Sequence, residues 1–229
     1  MPPPMLVEGL HLGRTLGPAI EFIYLAIIVF LCLLVYFKTK EIYDLTSHRG
    51  IRYFRNAFLL FGIAYLFRFI GVLSHIYKIS FGLPTGTHFI LGFVVSAYAS
   101  SIAILYLAHS VMWKRVRLSK FNDKYLHHFI ALGILIISII VNSPLIILGI
   151  QILLFIFILI MGFINYKKSK KKQTLNLYAI YFALFLFWIL NFLTSTFRFF
   201  FRIELVLYVI SISLFIVIAK KVIKVINKK

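Results

Sequence analysis

Apolar residues occur in seven long runs, separated by short segments that are polar or basic. The runs cover residues 18–37, 54–77, 88–113, 125–141, 145–166, 175–195 and 203–219. Each run has about 17 to 26 residues, enough for an α-helix to cross the hydrocarbon core of a bilayer. The pattern predicts an all-α polytopic membrane protein, built as a bundle of seven transmembrane helices.

The break between the fourth and fifth runs depends on three residues, Asn142, Ser143 and Pro144. Proline lacks a backbone donor and biases the preceding residue away from helix, so we predict a tight turn there. The strongly basic segments 114–124 and 167–172 support this turn. Both should lie on the same side of the membrane, which requires an even number of crossings between them.

The distribution of Lys and Arg predicts the orientation of the bundle. Of the 25 basic residues, 20 lie on the side that carries the connections 1–2, 3–4 and 5–6 and the C-terminal tail. Only four lie on the opposite side: Arg14, Lys78, Arg198 and Arg202. By the positive-inside rule, the N-terminus is outside and the C-terminus is in the cytoplasm. We therefore expect a short extracellular segment at 1–17, a seven-helix domain at 18–219 and a basic cytoplasmic tail at 220–229.

Composition excludes a water-soluble domain, because 62% of the residues are hydrophobic and the mean hydropathy is +0.99. The net charge of +19 does not indicate nucleic acid, since the cations lie between apolar runs. They favour anionic lipids of the inner leaflet as a partner, in the plasma membrane. The amphipathic segment 38–45 predicts either an interfacial helix or a plain solvated connector.

No catalytic or cofactor signature is present. The sequence contains no HExxH, no GxSxG and no phosphate-binding loop, so we expect no enzyme activity. Metal or haem ligation would require two of His109, His127 and His128 to converge near the predicted inner ends of helices 3 and 4. Interfacial histidines more often lie among headgroups, and we expect no cofactor and no metal.

Several polar residues inside the predicted spans fall in the predicted outer half of the membrane. An unpaired arginine at depth costs at least about 3 kcal/mol, so Arg68 should face the bundle and pair with Glu21 or Glu204. Tyr65, Arg68 and His75 share one face of helix 2. The candidate ligand-binding residues are Glu21, Tyr65, Arg68, His75, Gln151, Asn191, Glu204 and Tyr208.

These residues allow two interpretations. The first is an outward-facing polar cavity, in which Arg68 and His75 supply positive charge and an acidic residue is the counter-ion. The second is a structural salt bridge with interhelical hydrogen bonds, which stabilise membrane helices without any ligand. Gly92, Ser96 and Ser100 on helix 3 add a stripe of small residues, which predicts either close packing against a neighbouring helix or a homodimer face.

The segment from Arg52 to Arg68, RYFRNAFLLFGIAYLFR, resembles helix 2 of small uncharacterised archaeal multi-span proteins. The chain is also similar to the seven-helix sensor modules of histidine kinases, in helix number and in orientation. No kinase domain follows helix 7, so that resemblance implies a separate cytoplasmic signalling partner. Sugar transporters of the SWEET type are similar in size, but their Pro-Gln motif is absent here.

Three functions follow as hypotheses. The first is a sensor or receptor-like module that binds a small anionic or amphipathic ligand near Arg68 and relays to a separate cytoplasmic partner. The second is a small alternating-access transporter that uses the same pocket. The third is a structural subunit of a larger membrane complex. The spans lack the internal prolines of broken transporter helices, which favours a sensor or a subunit.

Overall fold

The computed structural model describes residues 4–81, 86–116, 123–141, 144–169, 172–196 and 201–226. Within these ranges the chain forms seven α-helices and no strand, which confirms the predicted fold class. The helices are α1 (Pro4–Thr46), α2 (Arg49–Phe81), α3 (Gly86–Val116), α4 (Asp123–Val141), α5 (Pro144–Ser169), α6 (Lys172–Thr196) and α7 (Phe201–Ile226).

Six of these helices are long and apolar enough to cross a bilayer, and α4 contributes a shorter apolar stretch, Tyr125–Val141. The chain is therefore a multi-pass membrane protein. The predicted break before α5 is confirmed, because α4 ends at Val141 and α5 begins at Pro144. Pro144 occupies the first turn, where a missing N–H costs no hydrogen bond. The direction of insertion and the choice of membrane stay predictions.

A very short connection joins α1 to α2. Ser47 has a positive φ of 48°, and its N–H donates to the carbonyl oxygen of Tyr43 at 2.7 Å. The carbonyl oxygen of His48 then accepts from the N–H groups of Ile51 and Arg52 at 3.0 and 3.2 Å, which starts α2. Segment 38–45 is the last part of α1, which runs without a break to Thr46, so it is neither an interfacial helix of its own nor a plain connector. We call this end of the bundle the hairpin end.

Six of the helices form a closed ring. α1 packs against α2, α2 against α3, α3 against α5, α5 against α6, α6 against α7, and α7 returns to α1. α4 lies outside this ring and packs against α3 and α5. Large apolar side chains stay exposed on the outer surface, such as Phe30 at 64% and Ile140 at 76%. This exposure is expected where the surroundings are lipid.

Aromatic side chains fill the interior of the ring. The inward face of α2 carries four of them at spacings of four, three and four residues: Phe54, Phe58, Phe61 and Tyr65. The ring centroid of Phe61 lies 5.1 Å from that of Trp188 on α6. The centroid of Phe58 lies 6.3 Å from that of Phe215 on α7. The same stripe reaches Arg68 three residues after Tyr65, so the fold turns Arg68 toward the bundle.

The prediction of close packing by small residues on helix 3 is confirmed at Gly92. A Cβ atom added there would lie 3.0 Å from the carbonyl oxygen of Phe67 and 3.6 Å from the Cα of Gly71. The backbones of α2 and α3 therefore approach more closely here than a residue with a Cβ atom would normally allow. This crossing lies within one turn of Arg68 on α2.

Candidate functional site

An ion pair between Arg68 of α2 and Glu21 of α1 is the centre of the candidate site. Nη2 of Arg68 donates to Oε1 of Glu21 at 2.8 Å, and Nε donates to the same oxygen at 3.2 Å. The Glu21 side chain is 9% exposed and the Arg68 side chain is 32% exposed. The predicted pairing of Arg68 with an acidic residue on the inner face of the bundle is confirmed, and the partner is Glu21.

The guanidinium of Arg68 has five N–H donors in a planar fork. Within the described part of the chain, Arg68 makes only two hydrogen bonds, and both end on Glu21 Oε1. A fork-to-fork pair would use both carboxylate oxygens. The side-on geometry therefore leaves several donors of a partly exposed cation directed away from Glu21.

Asn191 of α6 connects this pair to the middle of the bundle. Its Oδ1 accepts hydrogen bonds from the hydroxyls of Tyr24 at 3.3 Å and Tyr65 at 3.1 Å. Its Nδ2 donates to the backbone oxygen of Phe187 at 2.9 Å. Tyr24 lies three residues after Glu21 on α1, and that spacing alone could have identified it as a site residue. One buried amide thus holds α1, α2 and α6 together.

Helix α7 joins the site through Tyr208. The Tyr208 hydroxyl donates to Oε1 of Glu204, one turn earlier, at 2.7 Å. The Tyr208 ring stacks on Tyr24 with centroids 4.5 Å apart and planes inclined by 28°. Glu204 therefore does not supply the ion-pair partner of Arg68, but its hydrogen bond fixes the tyrosine that packs against α1.

A narrow recess opens between α1 and α7 beside this tyrosine pair. It is lined by Gly17, Ile20, Glu204, Leu205 and Tyr208. The recess has no room for a water-sized sphere. α1 and α7 are therefore in close contact at this level of the bundle.

Gln151 belongs to a different network, which bridges α3, α5 and α6. Its Nε2 donates to the hydroxyls of Ser100 at 2.8 Å and Ser101 at 3.1 Å. Its Oε1 accepts from the indole N–H of Trp188 at 3.0 Å. Gln151 is 1% exposed, and these bonds occupy both ends of its amide. The structure does not bring Gln151 to Arg68. The side chain of His75, the remaining predicted residue, lies outside the described residues.

The histidines near the hairpin end do converge in part. The ring centroids of His109 and His127 are 5.3 Å apart, and the Tyr53 ring lies 3.9 Å from that of His109. His128 makes a 2.6 Å hydrogen bond with the Tyr98 hydroxyl instead. The described residues contain no group of three His, Cys, Asp or Glu side chains that could hold a metal ion. Through these rings, His127 of α4 packs against Tyr53 of α2 and His109 of α3.

One relative matches almost the whole chain. A protein of Archaeoglobus fulgidus, described as uncharacterized, is 32% identical over 237 residues, which span 98% of this chain and 99% of that protein. No protein-family model and no solved structure matches the chain. The archaeal part of the predicted resemblance is confirmed, while the similarity to kinase sensor modules stays a prediction. This chain belongs to the same protein family as the Archaeoglobus fulgidus protein.

Proposed function

We propose that this chain is a non-enzymatic sensor or receptor-like module of the membrane. It binds a small ligand at Arg68 and relays the bound state to a separate cytoplasmic partner. The observation that supports this proposal is the side-on ion pair. Arg68 directs two donors to one oxygen of Glu21 and is 32% exposed. The remaining donors suit a second oxyanion, since a planar guanidinium binds carboxylates and phosphates through two parallel hydrogen bonds.

The relay rests on the continuity of two helices. α1 is unbroken from Glu21 to Thr46, and α2 is unbroken from Arg49 to Arg68. At 1.5 Å per residue, the distance from Glu21 to Thr46 along the axis is about 38 Å. Only Ser47 and His48 join the two helices. A change in the spacing of α1 and α2 at the ion pair therefore displaces both helices at the hairpin end. Such helix shifts are a common form of conformational switching.

The ligand class follows from what Arg68 already binds. Glu21 presents a carboxylate to this guanidinium, so a solute with the same group suits the donors that Glu21 does not use. Acetate, benzoate and octanoate form a suitable series of probes, with increasing apolar area. We expect at least one of them to raise the melting temperature of the wild-type protein in detergent, and we expect Arg68→Gln to lose that rise.

Spin labels test the relay directly. Cys32 is the single cysteine and is buried, so Cys32→Ala provides a background for labels at Thr46→Cys and Lys168→Cys, both at exposed positions. We expect the stabilising carboxylate to shift the distance between the two labels, and Arg68→Gln to abolish the shift. An equal thermal response in wild type and Arg68→Gln, or unchanged label distances, would contradict the proposed function.

A structural subunit is the second candidate, and one observation favours it. The amides of Asn191 and Gln151 are hydrogen-bonded at both ends, as expected of groups that hold helices together. Under this alternative, carboxylates have no effect at any concentration, while polar substitutions lower stability. The transporter hypothesis draws no support from the described interior, because aromatic side chains fill it.

A further inference from the structure

Another of the four arginines on α2, Arg55, lies 13 residues before Arg68, or about 20 Å closer to the hairpin end. Its guanidinium carbon is 4.6 Å from the ring centre of Tyr43 and 5.5 Å from that of Tyr36. Its Nε donates to Oδ1 of Asn56 at 3.3 Å. Two rings and one amide therefore hold the guanidinium in a fixed place, since cation–π contacts orient a planar cation.

This guanidinium lacks an acidic partner in the described residues. The ion pairs found there are Arg68–Glu21 and Lys38–Glu41, the latter at 3.1 Å. Residues 38–55 contain five basic and two acidic side chains, so the surroundings of Arg55 stay net positive. A fixed, unneutralised cation beside other cations favours an anion from outside the chain.

The face of α1 opposite Arg55 supplies further donors. Tyr36 and Tyr43 are seven residues apart and share that face, and Lys40 lies between them with its side chain exposed. Neither tyrosine hydroxyl makes a hydrogen bond to a described residue. The Arg55 guanidinium thus lies against two tyrosine rings on a face of α1 that also carries Lys40, and this face lies about 22 to 33 Å along α1 from Glu21. Tyrosines are enriched where membrane helices meet the lipid headgroups.

We propose that Arg55, Lys40, Tyr36 and Tyr43 form a binding site for a phosphate group at the hairpin end. The phosphate comes from an anionic phospholipid headgroup or from free phosphate. The planar fork of Arg55 contacts two phosphate oxygens, and the tyrosine hydroxyls donate to the others. This site is separate from the Arg68 pair and does not rest on the proposed function.

Native mass spectrometry of the full-length protein in detergent tests the site. Phosphatidylglycerol is the lipid probe, diacylglycerol is the matched lipid without phosphate, and inorganic phosphate is the competitor. Arg55→Gln removes the cation. Arg49→Gln is the matched control, because Arg49 is an exposed arginine on the same helix and makes no cation–π contact with a described residue. Arg55→Lys keeps the positive charge but lacks the planar guanidinium. This variant replaces Arg55→Gln in the test if Arg55→Gln does not fold.

We expect Arg55→Gln to weaken phosphatidylglycerol binding about tenfold and Arg55→Lys to weaken it less, as a charged hydrogen-bond partner is lost or altered. Arg49→Gln should stay within about twofold of wild type. Displacement of the lipid by millimolar phosphate identifies free phosphate as the ligand, and persistence of the lipid identifies the headgroup. Equal effects of Arg55→Gln and Arg49→Gln, or equal binding of diacylglycerol, would overturn the proposal.

Discussion

Arg68 places both of its hydrogen bonds on the same carboxylate oxygen of Glu21, at 2.8 and 3.2 Å. The geometry joins α1 to α2 at a depth where an unpaired arginine would be costly. It also leaves part of the guanidinium fork directed away from its partner. The ion pair therefore links α1 to α2, and the remaining donors of Arg68 are the basis of the proposed ligand site.

Breaking this ion pair should destabilise the protein, and removing both charges should restore part of the loss. Removal of one partner from a buried pair costs roughly 3–5 kcal/mol, and the partial exposure of Arg68 places the cost at the lower end. We expect Arg68→Gln and Glu21→Gln each to lower the melting temperature in detergent. The double variant should be more stable than either single one.

The control for this cycle is the exposed pair Lys38–Glu41. Lys38→Gln should change stability by less than about 1 kcal/mol, because solvent screens a surface pair. Strictly additive losses at Arg68 and Glu21 would show that the two side chains do not interact in the folded protein.

Gly92→Ala should destabilise the α2–α3 crossing. The new Cβ would lie 3.0 Å from the carbonyl oxygen of Phe67, so we expect the two helices to shift apart by a few tenths of an ångström. Overpacking of this kind costs typically about 1–3 kcal/mol. Gly149→Ala on α5 is the matched control, because nothing lies within 4 Å of its added Cβ. The check is the difference between the two melting temperatures, and an equal effect would contradict the close approach.

Gln151→Leu separates the structural network from the candidate site. The substitution removes the hydrogen bonds that Gln151 makes with the indole N–H of Trp188 and with the hydroxyls of Ser100 and Ser101. This loss should lower the free energy of unfolding by about 1–3 kcal/mol. We expect a lower melting temperature and an unchanged response to carboxylates. A lost carboxylate response in a folded Gln151→Leu protein would instead place Gln151 in the site.

The predicted orientation has its own test. Reporter fusions after Lys172 and after Lys229 should report cytoplasm, and a fusion within 81–86 should report the outside. The reason is the excess of basic residues on one side of the bundle. Identical signals from 81–86 and from Lys172 are incompatible with this orientation.

The sequence alone was sufficient to predict the helices, the break before Pro144 and the orientation of Arg68 toward the bundle. Each of these depends on local chemistry: run length, a missing proline N–H, and the cost of an unpaired charge in lipid. The role of Asn191 was not predictable in the same way, because its partners Tyr24 and Tyr65 lie 167 and 126 residues away in the sequence.

Two features of the structure could not be predicted, for a similar reason. Segment 38–45 is amphipathic, but amphipathicity does not show whether a helix is separate or continues from a span. Gln151 shared a predicted depth with Arg68, but depth does not show which side of the ring a helix occupies. α5 contacts α3, α4 and α6, so Gln151 meets Ser100 and Trp188 rather than the pair on α1 and α2.

Chemical rescue of Glu21→Ala tests most directly whether a small anion reaches Arg68 from outside the bundle. This variant removes the carboxylate and leaves the guanidinium in place. The account predicts that acetate raises the melting temperature of Glu21→Ala in a saturable manner, and that the double variant Glu21→Ala, Arg68→Gln does not respond. A Glu21→Ala protein that folds and shows no response to acetate, or a response that persists without Arg68, would contradict it.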